Sequence, residues 1–145
     1  MRSFFSPRQL AHAPRQELHN GGFTAYAEVP ARAERILAAI GRAEEPADAG
    51  IGPIAAVHAA DYLTFLQDAP DLWRAAGRSG DAIPYAFPVV GRRPLRLDRI
   101  DALLGRYSFD ATTPLTPETW DTAYWSAQTA LAATRAVLDG EPAAL

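Results

Sequence analysis

The chain of 145 residues contains no cysteine and no lysine, a single methionine and only three histidines. The absence of cysteine excludes disulfides, thiolate nucleophiles, zinc ribbons and iron–sulfur clusters together. The histidines are His12, His19 and His58, and no pair has the i, i+4 spacing of a helical metal site. No serine lies in a G-x-S-x-G setting, so the sequence offers no hydrolytic triad. Arg, Asp or Glu interrupts every apolar run before it reaches the ~20 residues of a membrane span. The opening Met1-Arg2-Ser3-Phe4-Phe5-Ser6-Pro7 lacks the apolar region and cleavage site of a signal peptide, so a cytoplasmic location is expected. A formal charge of −3 argues against a nucleic-acid partner.

What is present is the composition of one globular domain, 48% hydrophobic and 21% charged. A chain of this size buries roughly two-thirds of the surface its unfolded form exposes. Met1–Ser6 reads as a first buried strand and residues 7–29 as a loop. Pro30 suits the first position of a helix whose apolar face is Ala33, Ile36, Leu37 and Ile40, with Gly41 as its stop. Ile54–His58 reads as extended or helix-leading. Tyr62, Phe65 and Leu66 mark a second helix, which Pro70 is expected to interrupt. Residues 77–99 carry six glycines and prolines and read as a long irregular stretch, with a short helix over 98–106. The last helix is read from Thr116 as cap and Pro117 at its first position. Trp120, Ala123, Tyr124, Ala127 and Leu131 form its stripe, and Gly140 and Pro142 end it.

Three features invite a functional reading. Glu17-Leu18-His19-Asn20-Gly21-Gly22 either places Glu17 and His19 at a pocket mouth or is an exposed turn. Arg32 sits in the first turn of its helix, the wrong end for the dipole, which points to a carboxylate partner or to a plain surface arginine. Residues 78–106 hold six arginines against three aspartates, with Tyr85, Phe87, Tyr107 and Phe109 in or just past the segment. Basic plus aromatic suits single-stranded nucleic acid, but a solvated interaction loop or a protein contact through Arg and Tyr is the more usual use of such a segment.

Longer stretches carry a resemblance. They are Glu17–Gly22, Glu28-Val29-Pro30-Ala31-Arg32-Ala33-Glu34-Arg35-Ile36, Val57-His58-Ala59-Ala60-Asp61-Tyr62-Leu63-Thr64-Phe65-Leu66, and Tyr107-Ser108-Phe109-Asp110 running on through Thr113-Pro114-Leu115-Thr116-Pro117 to Trp120. Nearly end to end, the chain resembles the N-terminal part of bacterial acetylpolyamine amidohydrolases, of the histone deacetylase superfamily. The resemblance implies an α/β fold: the N-terminal portion of the three-layer arginase/deacetylase fold, a parallel sheet flanked by helices, incomplete in this chain. It implies zinc-dependent removal of acetyl or related acyl groups from amines. The family's R-P-P-G-H-H-A stretch and D-x-H zinc motif do not occur here. The helix over 116–139 is similar to the one preceding the His–His motif. The chain is therefore expected to hold no catalytic residue and no zinc of its own, and to be inactive alone. The alternative is a truncated, non-catalytic dimerisation or binding module.

The resemblance also assigns roles. Glu17 matches a family glutamate near the substrate channel, and His19 stands where the polyamine enzymes have a tyrosine. Arg32 matches the arginine of the channel through which acetate leaves. Asp101 stands where an acid faces the substrate's cationic amine, whereas Thr112 replaces a second such acid. Phe109 belongs to the substrate wall, and His58 and Tyr62 are structural. The stretch over about 73–114 matches an inserted loop that packs on a second subunit and narrows the channel, implying a homodimer.

Overall fold

Asn20 and Gly21 both adopt positive φ, 50° and 78°, the conformation of a two-residue hairpin turn. They join β1 (Gln16–His19) to β2 (Gly22–Ala25) in an antiparallel pair with Leu18 opposite Phe23. The stretch over 7–29 is thus not a loop: a 3-10 turn over Pro7–Ala11 and this hairpin occupy it. Asn-Gly supplied the turn, and β1 is too short for its alternation to stand out. The computed structural model describes every residue except 90 and 93–97; Arg93, Pro94 and Arg96 of the basic, proline-containing segment lie outside the described residues.

The chain divides into two units, each interrupted in sequence. The first holds Met1–Ala13, Glu28–Ala59 and Glu118–Leu145. Its helices are α1 (Ala31–Ile40), the short α2 (Gly52–Ala55) and α5 (Thr119–Leu138). The opening residues make parallel bridges rather than a full strand, Arg2 with Ala144 and Phe4 with Glu44. These two bridges put residues 2–4 between two parallel neighbours. α1 begins at Ala31, with Pro30 as its N-cap rather than its first residue, and stops as expected at Gly41, whose φ of 81° only glycine adopts cheaply. Its apolar face is only half-buried, and Ile36 is 56% exposed. α5 starts at Thr119, not at Thr116, and has Glu118 at its N-cap. Thr116 is buried, and Leu115 before it is tied by a two-bond bridge to Ala82, which keeps the chain extended there. The side chains that α5 buries fully are Trp125, Gln128 and Ala136, not the expected stripe; Trp120 and Tyr124 are half-buried.

The second unit holds Pro14–Ala27 and Ala60–Pro117. α3 (Ala60–Ala75) runs through Pro70 without a break. Proline there removes the donor for the Leu66 carbonyl. The helix survives because Leu63, Phe65, Leu66, Ala69 and Trp73 are buried on one side of it, before and after Pro70. α4 (Ile100–Tyr107) packs on α3 and buries Ile100, Leu104 and Gly105. The Tyr107 ring stacks on Phe65 at 4.7 Å, and its hydroxyl donates to Asp61 Oδ2 at 2.8 Å. The 82–115 segment is closed at its base by the Ala82–Leu115 bridge.

Polar pairs set a pH window for this fold. The Asp48, Asp61 and Asp110 carboxyls are held below their usual range mainly by hydroxyl donors, from Tyr124, Tyr107 and Thr113 respectively, and Glu44 by Arg2. Each binds fewer protons folded than unfolded, so its stabilisation is present above about pH 4 and is lost as pH falls further. Tyr107, raised chiefly by burial, and Tyr124, raised by Asp48, act in reverse: their stabilisation holds below about pH 10 and is lost above it. Urea midpoints measured from pH 3 to 11 should therefore plateau between these limits. A midpoint that rises on acidification below pH 4 contradicts the assigned pairs.

Candidate functional site

The hairpin gives the site residues their sides. Successive side chains in a strand alternate between faces, so Glu17 and His19 share one face of β1 and Gln16 and Leu18 the other. Glu17 is half-buried and His19 exposed. The hairpin is fastened on both flanks: the Leu18 N–H donates to the Ala111 carbonyl at 3.2 Å, and the Arg15 N–H to Asp81 Oδ2 at 2.8 Å. The first bond brings β1 beside the Tyr107–Thr113 segment, which carries Phe109, 96% exposed.

Asp110 and Tyr26 join this neighbourhood, and neither was among the residues expected from sequence. Asp110 Oδ1 accepts from the Thr112 N–H and from the hydroxyls of Thr112 and Thr113 at 2.9–3.1 Å. Thr112 thus orients the Asp110 carboxylate. Burial raises the Tyr26 phenol, and the charges of Glu17 and Asp110 raise it further. Glu17, Asp110 and Tyr26 therefore share one electrostatic neighbourhood with negative character. The order Asp-x-Thr-Thr after an aromatic run is the only sequence trace of it.

Asp101 lies on α4 with its side chain mostly buried, and it is heavily engaged. Arg78 donates to both of its oxygens at 2.9 and 3.1 Å, and the Tyr85 hydroxyl donates at 2.8 Å. Arg99 reaches it at 3.4 Å from a side chain that is 84% exposed. Arg78 in turn lies over the Trp73 ring at 5.3 Å. Arg32 belongs to the other unit, where its guanidinium pairs with Glu28 one helical turn before it.

On the face of the hairpin opposite Glu17 and His19 is a cleft of about 580 Å³. Leu18 and Phe23 line it from the hairpin, Trp73 from α3, and Asp81, Ile83 and Tyr85 from the segment after α3. Among the described residues no group of three His, Asp or Glu is placed to hold a metal ion. His12 makes a contact to the Thr119 hydroxyl at 3.1 Å instead. No helix among them is long and apolar enough to cross a membrane.

No protein-family model matches the chain. It is 42% identical over 149 residues to the acetylpolyamine amidohydrolase of Burkholderia pseudomallei, a match spanning 99% of this chain and 43% of the relative. It is 38% identical over 145 residues to acetylpolyamine amidohydrolase 2 of Pseudomonas aeruginosa, spanning 97% of this chain and 42% of the relative. The crystal structure of the acetylpolyamine aminohydrolase from Burkholderia pseudomallei matches 98% of this chain with a TM-score of 0.89 at 40% identity, and the match covers 42% of that structure. The chain thus spans about two-fifths of the length of the relatives it matches, and its fold is that portion of their α/β fold.

Proposed function

We propose that this chain, similar in sequence and fold to the N-terminal part of acetylpolyamine amidohydrolases, supplies the substrate-channel wall of a zinc-dependent deacetylase acting on acetylated polyamines or other short acylated amines. The observation that carries the reading is the end-to-end match at 42% identity together with the TM-score of 0.89. Zinc in such an enzyme polarises the amide carbonyl and activates water. That chemistry is proposed to come from the part of such an enzyme that this chain does not match.

The roles proposed for this chain are those of binding and orientation. Glu17, with Asp110 and Tyr26 nearby, makes a negative surface suited to a substrate ammonium. His19 and the exposed Phe109 flank it as wall. Asp101 recognises the distal amine by exchange: Arg78 and Tyr85 orient the carboxylate, and the long, exposed Arg99 contact is the one an ammonium displaces. Arg32 holds the product carboxylate in place of Glu28, since a guanidinium binds either carboxylate through the same fork. Exposed Tyr85, Phe87, Val89 and Phe109 on the inserted segment favour a homodimer through that surface.

The test joins this chain in frame to the remaining part of the Burkholderia pseudomallei relative. The 145-residue chain alone is expected to release no acetate from an acetylated polyamine above background. The zinc-loaded chimera is expected to release it. In the chimera Asp101→Asn should lower kcat/KM for the acetylated polyamine by about 10- to 100-fold, the effect of losing a charged hydrogen bond. An acetylated amine without a second charge should lose little. A folded, zinc-loaded chimera without activity overturns the enzyme reading and favours the binding module. Equal losses on both substrates overturn the role given to Asp101.

A further inference from the structure

The hairpin has one covered edge and one open edge, and we infer that the open edge, β2, takes an extended peptide segment of apolar–basic–apolar order as a third strand. The inference does not rest on the deacetylase reading. In a two-residue hairpin the residues flanking the turn, here His19 and Gly22, point their N–H and C=O groups at each other, and the direction alternates from there. Two bonds fix this phase. The Tyr26 N–H donates inward to the Arg15 carbonyl at 3.3 Å, and the Leu18 N–H donates outward to the Ala111 carbonyl at 3.2 Å. Phe23 and Ala25 therefore aim their N–H and C=O groups away from β1. Leu18 meets Ala111 on its side, whereas among the described residues no hydrogen bond reaches the main chain of Phe23 or Ala25. All four residues of β2 are exposed. Native proteins blunt open edges with a charge, a proline or a bulge. Gly22-Phe23-Thr24-Ala25 has none of these.

The two faces of the hairpin decide the side chains of the incoming strand. Laid antiparallel to β2, its first residue pairs with Ala25, its second with Thr24 and its third with Phe23. The first and third point to the face of Phe23, where the cleft of about 580 Å³ opens beside a ring that is 66% exposed. Leu18 lies directly across from Phe23, so an apolar side chain in third place extends an existing cross-strand pair. The second residue lies beside Thr24, whose partner in β1 is Glu17, on the face that carries the negative neighbourhood of Glu17 and Asp110. A basic side chain complements that charge. A second copy of β2 meets neither demand. Paired antiparallel about Thr24, it sets its alanine opposite Phe23 and its threonine opposite Thr24, which brings one methyl group to the cleft side and no positive charge to the other.

The experiment titrates the peptide Ac-Thr-Val-Arg-Leu-Thr-NH₂ into the ¹⁵N-labelled 145-residue chain and follows the backbone amides and their exchange with solvent. Its valine, arginine and leucine take the three places opposite Ala25, Thr24 and Phe23. The expected result is saturable protection of the Phe23 and Ala25 N–H groups, with those of Gly22 and Thr24, already turned to β1, little changed. N-methylation of the leucine amide, which faces Phe23, should weaken binding at least about fivefold, the worth of one backbone hydrogen bond. N-methylation of the arginine amide, which points away from β2, should not. Replacing the arginine of the peptide by glutamate should weaken it by a similar factor, most clearly at low salt. Ala25→Pro removes an outward N–H, leaves the ladder to β1 intact, and should weaken the unmodified peptide at least as much. No protection at Phe23 and Ala25 up to millimolar peptide overturns the proposal, and so does equal weakening by the two N-methylated peptides. Protection of these amides that grows with protein concentration alone identifies a second copy as the occupant and overturns it as well.

Discussion

Replacing Gly105 by alanine should cost the chain about 3 kcal/mol, the upper part of what overpacking a filled site costs. A β-carbon built at Gly105 overlaps the carbonyl group of Ala86, which is backbone and has nowhere to rotate. The segment around Ala86 must then lift off α4. Asp101 and Gly105 are one helical turn apart on α4, and both meet this segment. Gly105 receives it by absence of a side chain, and Asp101 by its bond from the Tyr85 hydroxyl. Lifting one end strains the other, so the variant loses the orientation of the Asp101 carboxylate along with stability. Thermal unfolding should fall by about 10 °C for a chain of this length. Gly22→Ala is the control, because its added carbon meets only the His19 carbonyl at 4.0 Å. Equal melting of the two variants contradicts the close approach.

Local signals carried some of this fold and missed the rest for identifiable reasons. α1 was legible to within one residue because its stop is a glycine at positive φ and a proline precedes its start, both one-residue effects. Pro70 misled because its cost is local while the compensation, burial of Ala69 and Trp73, is tertiary. Thr116 misled in the same way: its sequence suits a cap, but the bridge at Leu115 holds the backbone extended. The hairpin was legible in the pair Asn20-Gly21, although the neighbouring Gly22 drew the eye to a loop. Glu17 and His19 stand out in the sequence by residue type and by resemblance, and the strand's alternation places them on one face. Tyr26 and Asp110 were not found, since 84 residues separate two groups that share one electrostatic neighbourhood. The triple engagement of Asp101 was out of reach for the same reason: Arg78 and Tyr85 arrive from another segment. Composition and periodicity did not reveal that the fold is a portion of a larger one. The long motif stretches did, and the relatives' lengths agree.

Gln128 is where a buried polar group in the first unit should prove hardest to replace. It is 0% exposed on α5, its Oε1 accepts from the Ala49 N–H at 2.8 Å, and its Nε2 donates to the Gly50 carbonyl at 3.3 Å. One side chain thus satisfies both a donor and an acceptor of a segment that has no strand or helix partner of its own. Gln128→Leu keeps the volume and removes both bonds, leaving two backbone groups unpaired at about 1–3 kcal/mol each. A loss of about 3 kcal/mol is expected, and Gln128→Ala should add a cavity and reach about 4 kcal/mol. Gln128→Glu separates the two bonds. Its ionised carboxylate still accepts from Ala49 but turns a second acceptor toward the Gly50 oxygen. Burial and that oxygen both raise the glutamate's folded pKa above its unfolded value. Its stabilisation is therefore complete only below about pH 4 and is lost as pH rises through the raised value. Relative to the native chain, the Glu variant should gain stability on going from pH 7 to pH 5, where the lowered carboxyls of Asp48, Asp61 and Asp110 give no such gain. Urea midpoints of both chains at these two pH values decide it, and parallel behaviour would place Gln128 outside the hydrogen bonds described.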